Sequence, residues 1–308
     1  MFLLNINFTT MKKISLILVM LSLIVFSFVS CEKDSDKGTL KLSITDAPVD
    51  MDEVSAVYIT ITDIQYHLGG GENDFESFTD FQGPKLFNIL DLTRGATELL
   101  GNLEMEPGTY TQLRFILDAP EYGTGTPQNP GCYIEFNNGT SEPLFVPSGS
   151  QSGFKGVGAF KVPANGTVEV TADFDMRKSV VHTSTMGMYI LKPTVRLIVD
   201  QQAGKIVGGV TNIPEGKDIV VYAYEEGTYT SAEADDPLVE TPRFPNAISS
   251  DIVDEDGNYH IDFLAPKTYD LIVASMVNGD FEEVLGVVEG IVVESRKTTT
   301  QSIDISSL

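Results

Sequence analysis

The sequence predicts an all-β protein of two β-sandwich domains with Greek-key-like connections, and three observations predict it. Apolar and polar residues alternate with period two over much of the chain, the pattern of strands with one buried face. No stretch sustains an i, i+3, i+4 apolar pattern over about 12 residues, the length at which an amphipathic helix holds. Turn dipeptides recur between the alternating runs: Asn138-Gly139, Asn165-Gly166, Asp256-Gly257 and Asn278-Gly279. Each is expected to reverse a hairpin as a type I′ turn, which needs positive φ at both central residues. The chain has 308 residues, 42% of them hydrophobic and 21% charged, which suits globular cores and a length of about two domains.

The elements follow in order. Leu40, Leu42 and Ile44 share one face of a first strand. Val57, Ile59 and Ile61 share a face of the next, with Tyr58, Thr60 and Thr62 opposite; Asp63 breaks the phase, and Ile64, Tyr66 and Leu68 resume it. That slip predicts a β-bulge. Residues 86–92, LFNILDL, read as a strand, and Ala96 to Asn102 as a helix of about two turns, the best helical candidate in the chain. Val168, Val170, Ala172 and Phe174 alternate with Glu169, Thr171, Asp173 and Asp175. Pro193 lies inside the apolar run 189–199, so that run divides into two short strands or lies at an edge.

An internal echo links the two halves. Pro107-Gly108-Thr109-Tyr110 precedes TQLRFIL, and Pro266-Lys267-Thr268-Tyr269 precedes DLIVASM. In both, each Tyr is expected to bury its ring and hydrogen-bond its hydroxyl to backbone, as in a tyrosine corner. Gln201-Gln202-Ala203-Gly204 reads as a polar joint. The expected domains are residues 39–200 and 204–308, each closing its own core and folding independently.

Charge bounds the partners. Asp and Glu number 44 against 20 Lys and Arg, for a net charge of −24, so phosphate backbones repel the chain and nucleic acid is excluded as a general partner. Three His and two Cys leave little for a zinc site or a disulfide framework. Without Trp, any stacking on sugar rings falls to Tyr and Phe, such as Tyr222, Tyr224 and Tyr229.

Residues 14–29 are sixteen uncharged residues behind Lys12 and Lys13. A membrane-spanning helix takes about 20 apolar residues, and a shorter run behind a basic start reads as a secretory signal peptide, here residues 1–30. Met11 offers a more natural start than Met1. The run ends Phe28-Val29-Ser30-Cys31, which resembles the bacterial lipobox, with Phe28 where Leu is usual. The resemblance implies that Cys31 is lipidated and becomes the new N-terminus. Residues 31–38 are then the lipidated Cys and its tether, and the membrane is a partner through the lipid anchor. The acidic residues after Cys31 resemble outer-leaflet sorting signals of Gram-negative lipoproteins, which implies a cell-envelope, outer-membrane, surface-exposed location. With Cys31 acylated, Cys132 has no disulfide partner and reads as a small buried strand residue.

Two further resemblances concern the body of the chain. Asp254-Glu255-Asp256-Gly257-Asn258-Tyr259-His260-Ile261, then Phe263-Leu264-Ala265-Pro266 and Thr268-Tyr269, resembles the carboxypeptidase regulatory-like, transthyretin-like sandwich, with Lys267 where that family usually has Gly. In the first half stand Thr45-Asp46-Ala47-Pro48, Pro147-Ser148-Gly149, Ser152-Gly153-Phe154-Lys155 and Asp173-Phe174-Asp175. With Lys178-Ser179-Val180-Val181 and Tyr189-Ile190-Leu191-Lys192-Pro193, they resemble a domain of unknown function common in exported bacterial lipoproteins. Both resemblances imply fold, immunoglobulin-like or transthyretin-like, and neither implies catalytic residues.

Chemistry is sparse. Ser152 and Lys155 form a literal S-x-x-K, but the Gly-rich flanks argue against the helix that would bring them together in an acyl-enzyme. His67, His182 and His260 lie far apart in sequence, none with a metal partner at ligand spacing. Carboxylates crowd two turns: Asp254 and Asp256, with Glu255 between them, and Asp46, Asp50 and Asp52, with Glu53 beside them. Hard oxygen ligands can hold calcium, and these are the candidates, although neither set completes an EF-hand loop; the alternative is a solvated turn closed by Asx hydrogen bonds. The function expected is a non-catalytic envelope lipoprotein that binds, adheres or scaffolds through a protein or glycan ligand, with no catalytic residue and no required cofactor. The alternatives are a carboxylate-based glycan hydrolase, which needs two carboxyls about 5–10 Å apart in a cleft, and a structural subunit that exposes an unpaired edge.

Overall fold

A computed structural model describes residues 36–46, 53–67, 75–119, 131–146, 153–183, 187–192, 194–237 and 241–308. Signal peptide, Cys31 and most of the tether lie outside these residues, as do Asp50, Asp52 and Ser152. Among the described residues strand predominates. Helix is confined to α1 (Met176–Ser179) and short 3-10 turns such as Ile89–Leu92.

The first half is built on one hydrogen-bonded path of strands. In chain order these are β1 (Gly38–Thr45), β2 (Val54–His67), β3 (Phe75–Ser77), β4 (Lys85–Asn88), β5 (Glu98–Met105), β6 (Gly108–Leu117) and β7 (Tyr133–Phe136). Then come β8 (Ser141–Phe145), β9 (Phe154–Val162), β10 (Thr167–Phe174), β11 (Val180–Thr183), β12 (Met188–Leu191) and β13 (Val195–Val199). The spatial order is β11-β12-β8-β7-β2-β6-β9-β13-β10-β1-β5, with β3 and β4 paired off β2. A single buried cluster runs from Leu40 to Leu197, so the path folds over its own core.

The bend has a sequence origin. Ile61 pairs with Leu117 but Asp63 with Ile116, so Thr62 is the extra residue of a bulge. Ile59, Ile61 and Ile64 are nevertheless all fully buried, because the bulge shifts the alternation by one. Before the bulge β2 pairs with β7 and β4; after it, with β6 and β3. One long strand thereby serves two parts of the core.

A second bulge explains a correction. The segment expected to be helical, 96–102, is mostly the strand β5. Leu42 pairs with Gly101 and Ser43 with Leu99, which leaves Leu100 as the extra residue. Leu100 and Leu103 are both buried at a spacing of three, so the bulge imitates a helical period. Conversely only Leu86–Asn88 of the expected strand 86–92 is strand, and Ile89–Leu92 turns as 3-10 helix with Ile89 and Leu92 buried. The run 189–199 divides into β12 and β13, which lie far apart in the sheet order.

The second half is a two-sheet sandwich of β14 (Gly204–Thr211), β15 (Asp218–Glu225), β16 (Ser249–Ile252), β17 (Asn258–Leu264), β18 (Thr268–Val277), β19 (Asp280–Val292), β20 (Thr298–Thr300) and β21 (Ile303–Asp304). One sheet runs β17-β14-β20, with β21 also on β14; the other runs β16-β15-β18-β19. Ile206, Tyr259 and Ile261 of the first meet Val221, Leu271 and Val273 of the second in one core. The opposite face of β15 and β18 is also buried: Tyr222, Tyr224, Ile272 and Ala274 pack with Phe244 and Ala247 of the 226–248 connection. Buried clusters do not cross from one half to the other, although residues 37–308 form one compact unit.

The turns differ in type. Asn278 and Gly279 have φ of 51° and 79°, the type I′ signature, and join the antiparallel pair β18–β19. At 138–139 and 256–257 only the Gly is left-handed, and at 165–166 only the Asn. Asp256-Gly257 joins β16 to β17, strands of different sheets, and Asn165-Gly166 joins β9 to β10, which both pair with β13. A dipeptide that tolerates positive φ serves a crossover as well as a hairpin.

Both tyrosine corners form. Tyr110 donates to the Glu106 carbonyl at 2.9 Å and Tyr269 to the Ala265 carbonyl at 3.0 Å, each four residues upstream. Neither Gly108 nor Lys267 is among the residues with positive φ, so the corner places no demand for glycine there and Lys267 fits without strain.

Candidate functional site

The described polar groups of greatest interest lie where loops of the two halves meet. The turn after Ile89–Leu92 presents Arg94, at φ 56°, to the second half. Its Nε lies 3.2 Å from Asp251 Oδ2, its Nη1 donates to Asp254 Oδ2 at 2.8 Å, and its Nη2 donates to the Ile252 carbonyl at 2.6 Å. Asp251 is buried and also accepts the His260 N–H at 2.7 Å. Burial pushes its carboxyl up to about 6, even though the His260 N–H and Arg94 pull the other way. Asp254 is held below its ordinary value by the Asn258 N–H and by Arg94. The next residue, Gly95, has φ 78°, and a Cβ there would come within 3.0 Å of the Asp262 carboxylate.

A second ionic cluster lies around α1. Asp46 accepts the Met176 N–H at 3.0 Å. Asp175 holds Arg177 at 3.2 Å and Lys178 at 3.4 Å, and Asp173 holds Arg196 through Nε at 3.1 Å and through Nη2. The cations continue outward: Arg177 donates to the Phe244 carbonyl at 2.8 Å, and Lys178 to the Ala247 carbonyl at 2.5 Å. Arg177 also lies over the Tyr222 ring at 5.5 Å. Burial raises the Asp173 carboxyl and lowers the Lys178 ammonium, as removal from water disfavours either charge. Ser179 locks the turn, donating to the Asp175 carbonyl at 2.5 Å and accepting the Thr194 N–H at 3.0 Å.

A cleft of about 220 Å³ opens beside this seam, lined by Glu53, Phe136 and Tyr189 from the first half and by Asn278 and Asp280 from the second. A second lobe of about 230 Å³ shares Glu53 and Phe136. Phe136 and Tyr189 lie 5.4 Å apart, and His182 stacks on Tyr189 at 4.6 Å.

A family model described as Domain of unknown function (DUF4382) matches residues 37–193, just over half of the chain. The chain belongs to the DUF4382 family. The matched span carries Arg94, Asp173, Asp175, Arg177 and Lys178, so the DUF4382 domain supplies the cationic side of the seam. Comparison with the curated proteins returns no match. Among solved structures, DUF4382 residues and the second half together align with the minor pilin GBS52 of Streptococcus agalactiae at 12% identity, covering 86% of this chain and 94% of that one, with a TM-score of 0.22. The major pilin BcpA of Bacillus cereus aligns at 10% identity over 87% and 69%, with a TM-score of 0.22. The Bacillus anthracis TIE protein aligns at 11% over 87% of this chain, which spans about a third (34%) of its length, with a TM-score of 0.21.

Of the described candidates in the DUF4382 chain, Asp46 and Asp254 make hydrogen bonds within the fold. Asp254 of the calcium candidates is occupied otherwise: Oδ1 accepts the N–H groups of Asp256 and Asn258, and Oδ2 accepts Arg94. Asp46 accepts the Met176 N–H at the start of α1, and Asp50 and Asp52 lie outside the described residues. Among the described residues no group of three or more His, Cys, Asp or Glu converges as a metal site. Lys155 lies on the strand β9, and Ser152 lies outside the described residues. Cys132 is fully buried just before β7, and burial pushes its thiol up to about 12. Tyr222 and Tyr224 are buried too, whereas Tyr229 is half-buried. Arg94, Arg177 and Phe136 carried no local signal; only tertiary contact reveals them.

Proposed function

We propose that this DUF4382 protein is a non-catalytic binding module of the cell envelope, anchored through a lipid on Cys31 and presenting one rigid body built from both halves. The observation that carries the reading is the buried ionic seam. Arg94 on Asp251, and Arg177 and Lys178 on the carbonyls of Phe244 and Ala247, tie the halves together at two places. A charge half-removed from water is held by a partner only in a defined geometry, so the seam fixes orientation. A cleft lined by both halves is then a constant shape at the end of a lipid tether. The groups that could do chemistry support the same reading: Cys132 is a buried thiol, Asp251 is paired, and Lys155 points from a strand.

In this proposal residues 39–200 and 204–308 are two sandwiches with separate cores and a common seam. The second is of the carboxypeptidase regulatory-like type, and the outer membrane is the location. The subunit alternative draws on β19, where Val287 and Val292 are exposed. Three register shifts interrupt that strand, and bulges of this kind discourage edge-to-edge pairing, so the binding reading stands first.

The test is metabolic labelling with palmitate. The protein is expected to take label and to fractionate with the envelope, and Cys31→Ala to lose both. A Cys31→Ala chain that keeps its label would overturn the anchor.

A further inference from the structure

The strand path of the first half ends at β5, which pairs with β1 on one side and, among the described residues, with no strand on the other. A bare strand edge offers unpaired N–H and C=O groups to a strand of any other chain. β5 adds an apolar side chain to that exposure, Leu99, which is 42% exposed. Its outward groups are nevertheless occupied, by side chains of the segment that leads into β4. Asp80 Oδ2 accepts the Glu104 N–H at 2.8 Å. The Lys85 ammonium donates to the Leu99 carbonyl at 3.1 Å and to the Leu100 carbonyl at 2.7 Å. Successive carbonyls of a regular strand point to opposite sides; the bulge at Leu100 turns this pair together, so one ammonium covers both. The covering segment is held in place independently of β5. Phe78 is buried against Tyr66, with ring centres 4.6 Å apart, and its N–H donates to the Ile64 carbonyl at 3.0 Å. At the other end of the segment Lys85 pairs with Ile61 of β2.

We propose that β5 is a self-pairing edge held shut by Asp80 and Lys85, and that the partner it takes once opened is β5 of a second copy of this chain. An incoming strand must displace both side chains. Hydrogen bonds to a carboxylate or an ammonium are stronger than the neutral backbone bonds that a strand offers in exchange, so the closed edge wins. Lysine on an edge and a bulge within it are the devices that natural sheets use against edge-to-edge pairing, and β5 has both. With the cover removed, every copy carries the same open edge, and two identical edges meet about a two-fold axis. An antiparallel pair centred on Gly101 sets Glu98 of one copy opposite Glu104 of the other. Those like charges oppose the pairing further. In that pair the Glu104 N–H and the Leu99 and Leu100 carbonyls exchange side-chain partners for backbone ones.

The test is hydrogen exchange at the Glu104 amide together with sedimentation, both on the full chain in detergent. Relative to the unaltered protein, Asp80→Ala/Lys85→Met is expected to exchange the Glu104 amide several-fold faster when dilute, since one hydrogen bond is lost. On concentration the same variant is expected to associate, with the Glu104 amide regaining protection. Asp80→Asn keeps an acceptor oxygen at the same place and is expected to exchange and sediment as the unaltered protein does. Unchanged exchange at Glu104 in the double variant would overturn the cover. Faster exchange with no association, or association that leaves Glu104 unprotected, would overturn β5 as the self-pairing edge. Near-ultraviolet circular dichroism reports whether the double variant keeps its packing. If it does not, Lys85→Met alone, which keeps the stem and removes the ammonium, decides by the same sedimentation: association supports the proposal and its absence overturns it.

Discussion

Arg94 and Asp251 are 157 residues apart in sequence, and Arg94 Nε lies 3.2 Å from an Asp251 carboxylate that is 1% exposed. The same guanidinium reaches Asp254 and two backbone carbonyls, so one side chain of the first half satisfies a whole loop of the second. Arg94→Ala leaves Asp251 buried without its counter-ion. The expected loss is about 2–4 kcal/mol, under the roughly 3–5 kcal/mol for breaking one side of a fully buried pair because the Arg94 side chain is 32% exposed, read as a lower urea midpoint. Arg94→Lys is expected to recover only a minor part, since a point charge cannot reproduce the fork.

The Asp251 carboxyl gives a pH dependence of unusual sign. Its folded value is pushed up to about 6 from an ordinary 3.8, so between those values the native state holds more protons than the unfolded state. Its contribution to stability therefore falls as pH rises through about 4 to 6, and is level above that. Asp254 acts oppositely, its depressed value giving stability above its ordinary range that is lost on acidification. The stability of Asp251→Asn minus that of the unaltered protein should climb from about pH 4 to about pH 6 and then level. A difference that stays constant across the window would show that Asp251 titrates normally.

The two tyrosine corners make a matched pair of probes. Tyr110→Phe and Tyr269→Phe each remove one hydroxyl-to-carbonyl bond and keep the ring. Each is expected to lower stability by about 1 kcal/mol. Because Tyr110 and Tyr269 belong to different buried clusters, the double variant should show the sum. Guanidinium unfolding of the three variants checks both statements.

Gly95 and Lys267 make opposite predictions about glycine. Gly95→Ala places a Cβ at positive φ and 3.0 Å from the Asp262 carboxylate, with an expected loss of about 1–2 kcal/mol. Lys267→Gly relieves no strain, because Lys267 already has ordinary backbone geometry, and should be neutral or destabilise by a few tenths of a kcal/mol through chain entropy. Thermal melts of the two variants are sufficient to distinguish the cases.

Much of the fold was legible because it is local. The phase slip at Thr62–Asp63 announced a bulge, Pro193 announced a division, and the Pro-x-Thr-Tyr echo announced two corners. β5 misleads for a local reason too, since the bulge at Leu100 sets buried leucines three apart. Turn chemistry showed where the chain bends but left open whether it returns to the same sheet, as Asp256-Gly257 and Asn165-Gly166 demonstrate. The seam was not legible. Asp46, Asp173, Asp175, Lys178 and Ser179 stand out as a family signature, yet nothing in the spacing says that Lys178 and its neighbour Arg177 clamp Ala247 and Phe244. Their partners are backbone carbonyls of a distant connection, and a carbonyl leaves no mark in a sequence.

If the ionic seam makes one rigid body of two separately cored sandwiches, differential scanning calorimetry reads it as a single cooperative unit. The unaltered protein should unfold in one transition, and the double variant Arg94→Ala/Arg177→Met should unfold in two, one for each half. Two resolved transitions in the unaltered protein, or a double variant that keeps one transition at an unchanged temperature, would contradict it.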